Sequence, residues 1–235
     1  MSSLGAARVS ARWEDAIDAP ASVLAHQLGE NVALLAGYTA VLRETAGLEP
    51  AGRDAIGMIE VVASRVRRCT EDLLDFTSAS SAQTNPVRAD PAVALQQALA
   101  ALRDGLDRWE VSVEAGPLPE VTADTHQLAR LFVHLLRGPA AAAWTSEAIP
   151  NVWIDGRRTA SGVEITVTDD APAPPNPDRL FDARSRPRGR GPFVGAGLGL
   201  LICRRIVEAN GGQIAAEAAQ PDGLAVSFTL PSAEG

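Results

Sequence analysis

The chain contains no lysine; all 21 of its basic residues are arginine. A bias of this kind reads first as a feature of the coding sequence. It still means that any role lysine would fill must be filled otherwise. Cysteine is nearly absent too. Cys69 and Cys203 stand far apart without metal-ligand spacing, so they read as buried free thiols of a reducing compartment. No apolar run reaches the length of a membrane span, and the N-terminus lacks the layout of a secretory signal. A cytoplasmic location is the expectation. Positive charge is outweighed, with a formal net charge of −8, which argues against a nucleic-acid or membrane-surface role.

What is present suffices for two small domains. The chain has 235 residues, 46% of them apolar and 21% charged, an ordinary soluble balance. Residues 1–15 are small and polar and form a flexible N-terminus. From about Ile17, Leu24, Leu28, Leu35 and Leu42 recur at spacings of four and seven, with Asn31 and Tyr38 between them. This is a heptad seam. Gly47, Glu49 and Pro50 interrupt it, and Ile56, Ile59, Val66, Leu73 and Phe76 mark a second stripe. Two amphipathic helices over 16–81 make a hairpin whose two stripes need a second copy to be buried. A dimeric four-helix bundle is the expected solution.

Residues 82–91 read as a linker. Beyond it, 92–231 alternate between helical and strand patterns. Helices are expected at 92–108, 124–137 and 197–209, with Asp124 or Thr125 as a cap for the second. Strands are expected at 111–115, 151–158, 162–169 and in the stretches QIAAEAA and LAVSFTL. Asn210-Gly211-Gly212 is a helix stop, and 232–235 is a tail. Helices and antiparallel strands in this order predict an α+β sandwich.

The chemistry-bearing motifs lie in both halves. In GAGLGLLICRRIVEANGGQI, residues 195–214, Gly195, Gly197 and Gly199 flank Leu198 and open a helix. Such glycines let backbone approach a polyphosphate, and the helix start supplies N–H groups. The stretch resembles the second glycine box of the histidine kinase ATPase domain. The strand GVEITVTD ends at Asp169, where that family's first glycine box begins. The resemblance implies that Asp169 accepts a hydrogen bond from the adenine amino group. The glycines of that box are Ala171 and Ala173 here, and Pro172 stiffens the loop. THQLARLFVHLLRGPAAAAW, residues 125–144, resembles the N box, with His134 and Gly138 at its two asparagine positions. The second asparagine would ligate Mg²⁺, and glycine has no side chain to do so. His134 is either a new polar contact or a packed histidine. The Arg-rich stretch 179–193 resembles the family's lid and reads as a phosphate contact or a solvated loop.

ASVLAHQLGENVALLAGYTAVL, residues 21–42, resembles the phosphoacceptor helix of the same family, in its bacteriophytochrome-type branch. His26 stands at the acceptor position. It lies two residues from both Leu24 and Leu28, about 200° around the helix from each, and so on an outer face. An imidazole nitrogen attacks phosphorus when its other nitrogen is held by an acceptor. The family's neighbouring acidic residue is Gln27 here, a weaker proton acceptor. The family's later proline is Asn31.

The resemblance covers residues 17–231. It implies a dimeric phosphoacceptor hairpin followed by a Bergerat-type ATPase-like α/β sandwich. Gln27, Gly138, Ala171 and Ala173 all depart from the parts that use ATP and Mg²⁺, so autophosphorylation is expected to be weak or absent. No sensor domain is expected in the short N-terminal stretch. The leading expectation is a two-component phosphorelay protein, a homodimeric histidine phosphotransferase exchanging a phosphoryl group between His26 and response-regulator receiver domains. An ATP-dependent histidine kinase using Asp169 and the second glycine box is the alternative. A pseudokinase scaffold without chemistry is a third.

Overall fold

The computed structural model describes residues 28–44, 49–81, 85–108, 110–143, 151–171, 173, 176–181, 198–219 and 223–234. The chain divides into two compact units, Met1–Ala82 and Gln83–Gly235.

The first unit contains helix α1 (28–44) and helix α2 (Pro50–Ser81). Pro50 opens α2, where its missing N–H costs nothing, and the Glu49 carbonyl accepts from the N–H groups of Gly52 and Arg53. Arg43 pairs with Glu60 at 3.1 Å, joining the end of α1 to the early turns of α2. The buried line runs through Val32 and Thr39 on α1 and through Ile56, Ala63, Thr70 and Thr77 on α2. Both sets repeat every seven residues. The threonines tolerate burial because their hydroxyls bond within the helix. Thr39 donates to Ala36 at 2.9 Å and Thr70 to Arg67 at 2.7 Å, which removes the cost of an unmet polar group.

Within the single chain the expected seam is therefore left open. Leu28, Leu35, Leu42 and Tyr38 are 47–67% exposed, while Val32 and Thr39 do the packing. On α2, Ile56 is buried as expected, but Ile59 and Val66 are open, together with Met58 and Val62. A single hairpin has room to cover only one line per helix, and the larger apolar side chains lie on the lines it leaves out.

The second unit begins with β1 (Val87–Ala89), inside the stretch expected to be linker. β1 pairs antiparallel with β3 (Val121–Ala123), a strand too short to show a pattern. The main sheet has the order β2-β4-β5-β7-β6. Its strands are β2 (Ser112–Ala115), β4 (Asn151–Thr159), β5 (Gly162–Asp169), β6 (Gln213–Ala218) and β7 (Leu224–Leu230). The β2–β4 pair is parallel and the others antiparallel. Helices α3 (Pro91–Arg108), α4 (Thr125–Ala143) and α5 (Gly199–Ala209) complete the unit. The architecture is α+β.

Strand alternation explains the core. Val152 and Ile154 of β4, Val163, Ile165 and Val167 of β5, and Phe228 and Leu230 of β7 are buried. Between them Trp153, Asp155 and Arg157 are exposed. One face of the sheet is thus apolar and the other polar. Phe132 of α4 meets Phe228 edge-on, ring centres 6.1 Å apart. Leu128, Leu131 and Leu136 of α4 and Ile202 and Ile206 of α5 are almost fully buried. On the outer face Arg157 and Glu164 pair across the strands at 2.8 Å.

Asp124 caps α4, its Oδ1 accepting from the N–H groups of His126 and Gln127 at 3.0 and 3.1 Å. The helix outruns its expected end, continuing past Pro139 to Ala143. Proline removes one bond to the preceding turn, but Pro139 is buried and the alanines after it favour helix. At the end of α5, Gly211 takes a positive φ of 78° and its N–H bonds Glu208, while Gly212 bonds Val207. This is the expected stop.

Buried Asn210 locks these two helix ends together. Its Oδ1 accepts from the Asp124 N–H at 2.8 Å, and its Nδ2 donates to Gln127 and to the Ile206 carbonyl, each at 2.8 Å. Asn210→Ala strands the Gln127 carbonyl and the Asp124 N–H. A loss of roughly 2–4 kcal/mol in unfolding free energy is expected, measurable by urea denaturation. A change below about 0.5 kcal/mol would show that the network is replaceable by water.

Candidate functional site

The inward period of β5 does not stop at its apolar residues. Val163, Ile165, Val167 and Asp169 follow one another on the same face, and all four are buried. The strand therefore delivers a carboxylate to the rim of the core. Asp169 pairs with Val152 on one side and Leu224 on the other. Its Oδ1 accepts from the Ala171 N–H at 2.9 Å, and the Leu224 N–H also bonds it. Desolvation pushes its pKa up to about 6, with the neighbouring Asp170 charge adding to the rise and the two N–H bonds opposing it. Such a group is rare away from sites of function. As a carboxylate it is an acceptor for an amino group on a ring.

A second cluster forms where α4 meets the start of α5. The helices run antiparallel along Gln127–Asn210, Leu131–Cys203, whose thiol lies 3.8 Å from the Leu131 carbonyl, and His134–Gly199. A Cβ on Gly199 would sit 3.7 Å from His134 Nδ1. His134 is 4% exposed and thus packed against the first residue of α5. Leu198, the residue before that helix, offers no side-chain cap. The first-turn N–H groups are directed away from the helix body, an arrangement suited to an anion. One turn beyond His134, Gly138 is exposed, and a Cβ there would meet nothing within 4 Å. Packing does not require glycine at 138.

Of the residues singled out in the sequence, the structure thus places Asp169 at a buried strand end and brings His134 against Gly199. His26, Gln27, Gly195 and Gly197 lie outside the described residues, as does most of the Arg-rich stretch. Among the described residues no cluster of His, Cys, Asp and Glu could hold a metal ion. Cys203 is buried and Cys69 half-buried, and neither forms a disulfide. No described helix is long and apolar enough to cross a membrane.

One pair was missed. Asp170 accepts from both the backbone and the side chain of Asn151. A signal for it existed. A two-residue turn at Ala160-Ser161 joins the strands, with Thr159 opposite Gly162. Counting back along the ladder puts Asn151 opposite Asp170.

Residues 124–234 match the family described as histidine kinase-, DNA gyrase B- and HSP90-like ATPase. The phytochrome-like protein Cph1 of Synechocystis is 25% identical over 215 residues, covering 90% of this chain and 28% of that protein. The family model and this relative together support a histidine kinase family core. Solved structures agree on the fold. Full-length ShkA in complex with AMPPNP superposes with a TM-score of 0.64 at 22% identity, over 90% of this chain and 45% of that one. Histidine kinase ThkA in complex with response regulator protein TrrA gives 0.61 at 15% identity, over 94% and 64%. The chain spans under a third of the length of that curated relative.

Burial of Asp169 has a measurable consequence. Because its pKa is raised from 3.8 to about 6, the folded state holds the proton more tightly than the unfolded chain. Its contribution to stability is fully present below pH 3.8 and is lost as pH rises through 6. Asp169→Asn abolishes that loss. Relative to the wild type, the variant should gain up to about 3 kcal/mol above pH 7 and nothing below pH 4. Urea denaturation across that range measures the difference. A gain independent of pH would exclude titration of Asp169 as its origin.

Proposed function

We propose that this protein is a dimeric histidine phosphotransferase of two-component signalling, built on a kinase core. The observation that carries the reading is Gly138. The position that the family resemblance assigns to a Mg²⁺ ligand holds no side chain, although the surrounding space would admit one. Ala171 and Ala173 in the first glycine box reduce contact with a triphosphate in the same direction. A triphosphate whose charge is not neutralised loses several kcal/mol of favourable interaction. His26, in contrast, retains its acceptor-like sequence setting.

In the proposed reaction the imidazole nitrogen of His26 attacks the phosphorus of an aspartyl phosphate on a receiver domain. The N–P bond forms as the acyl–phosphate bond breaks, and the receiver's aspartate leaves as carboxylate. Return to a second receiver reverses these bonds. Gln27 can hold the other ring nitrogen through its amide oxygen. The receiver brings Mg²⁺ and most of the catalytic apparatus, and the ATPase-like unit provides a docking surface. The solved complex of ThkA with TrrA supports a receiver protein as the partner class.

A second reading, an ATP-dependent histidine kinase, is favoured by the buried Asp169 and by the uncapped α5 start beside His134. Two labelling experiments separate the readings. Incubation with radiolabelled phospho-receiver should label the wild type and leave His26→Ala unlabelled. Incubation with radiolabelled ATP and Mg²⁺ should give little label. Strong ATP labelling that depends on His26 would replace the proposal by the kinase. No label from either donor leaves a scaffold.

The open apolar lines of the hairpin support a homodimer. Leu35 is half-exposed in the single chain, and a bundle of two hairpins would cover it. Leu35→Glu is expected to shift the protein to monomer in sedimentation velocity. An unchanged dimer would place the interface elsewhere.

A further inference from the structure

Asn151 and Asp170 face each other one step beyond the Val152–Asp169 pair, at the open end of the β4–β5 hairpin. The Asp170 N–H donates to the Asn151 carbonyl at 3.3 Å, as an antiparallel rung requires. The return bond is made by a side chain. The Asn151 N–H donates to Oδ1 of Asp170 at 2.7 Å, and Asn151 Nδ2 donates to Oδ2 at 2.9 Å. The carboxylate thus completes the last rung of the ladder, and the Asp170 backbone is released to turn. At the next residue the chain folds back, the Ala171 N–H reaching Oδ1 of Asp169 at 2.9 Å.

We propose that Asp170, clamped by Asn151, is a positioning residue of the nucleotide pocket: it sets where β5 ends and thereby aims the Asp169 carboxyl. The inference rests on reading Asp169 as the adenine-contacting residue. It accounts for a first-box loop that turns without glycine. Where glycine would supply backbone freedom, this chain uses a side-chain acceptor that defines the turn. Both Asp170 oxygens accept from a single residue, Oδ1 from its backbone N–H and Oδ2 from its side chain, so truncating Asn151 removes one arm of the clamp and frees Oδ2. Besides its geometry, Asp170 places a negative charge beside Asp169, whose other influences are its own burial and the N–H groups of Ala171 and Leu224.

Two variants of the full chain separate the geometry from the charge. Asn151→Ala shortens the clamp and keeps the Asp170 charge. Asp170→Asn keeps an oxygen for the Asn151 N–H, loses the same bond to Asn151 Nδ2 and also removes the charge, so the difference between the two variants reports the charge. Calorimetric titration with ADP and Mg²⁺ should show affinity roughly tenfold weaker for Asn151→Ala. Hydrogen exchange at the Ala171 amide should accelerate in the same variant. In Asp170→Asn the Asp169 carboxyl, followed by ¹³C NMR, should titrate below the wild-type midpoint, a shift that general destabilisation would not produce. Wild-type ADP affinity in Asn151→Ala overturns the proposal. If the wild-type protein itself binds no ADP, the nucleotide reading fails separately. The positioning claim is then decided by exchange at Ala171, where unchanged protection in Asn151→Ala overturns it and faster exchange sustains it.

Discussion

The two-residue period of β5 is the constraint on which the second unit depends. Once Val163 faces inward, Ile165, Val167 and Asp169 must follow. The three apolar members seat the helices. The fourth carries that alignment to a carboxyl group whose pKa burial pushes up to about 6. The core and the candidate site are thus successive turns of one pattern. A slip of one residue in register would expose Val163 and Ile165 and turn Asp169 outward at once. Neighbouring strands resist such a slip, because β4 and β7 pair with β5 along its whole length.

The helices add a second fixed frame. Asn210 joins the end of α5 to the start of α4 through groups that would otherwise be buried without partners. With those ends tied, the antiparallel helices bring the start of α5 level with His134. Polar bonds at one end of the helix pair therefore set the geometry at the other, where a packed histidine meets Gly199. Stability and site are coupled through helix length rather than through direct contact.

The first unit shows the opposite balance. Its internal line is made of small and polar side chains, Val32, Thr39, Ala63, Thr70 and Thr77, with Ile56 the large exception. Leucines and Tyr38 stand outside it. Self-bonded threonine hydroxyls make that internal line acceptable, but they contribute little hydrophobic free energy. The greater apolar area is presented outward, consistent with a bundle made by two chains. The seam expected from leucine spacing was real as a pattern. It did not identify its own partner, since a stripe can pack within a hairpin or against another copy.

By itself the sequence determined the order of elements, most strand positions, the Asp124 cap, the stop at Asn210-Gly211-Gly212 and the prominence of Asp169 and His134. These follow from local periodicity and turn chemistry, which act over a few residues. It also determined that position 138 has no ligand to offer. Only the tertiary structure decided that β1 and β3 exist, because three-residue strands carry no period and are defined by their pairing. Tertiary packing likewise carried α4 through Pro139 and put the 32–39 line, rather than the leucine seam, inside the single hairpin. It joined Asn210 to Gln127 across 83 residues, and it turned Asp170 from a loop acid into the last acceptor of a ladder. Each of these outcomes depends on tertiary pairing or packing, and local pattern does not encode it.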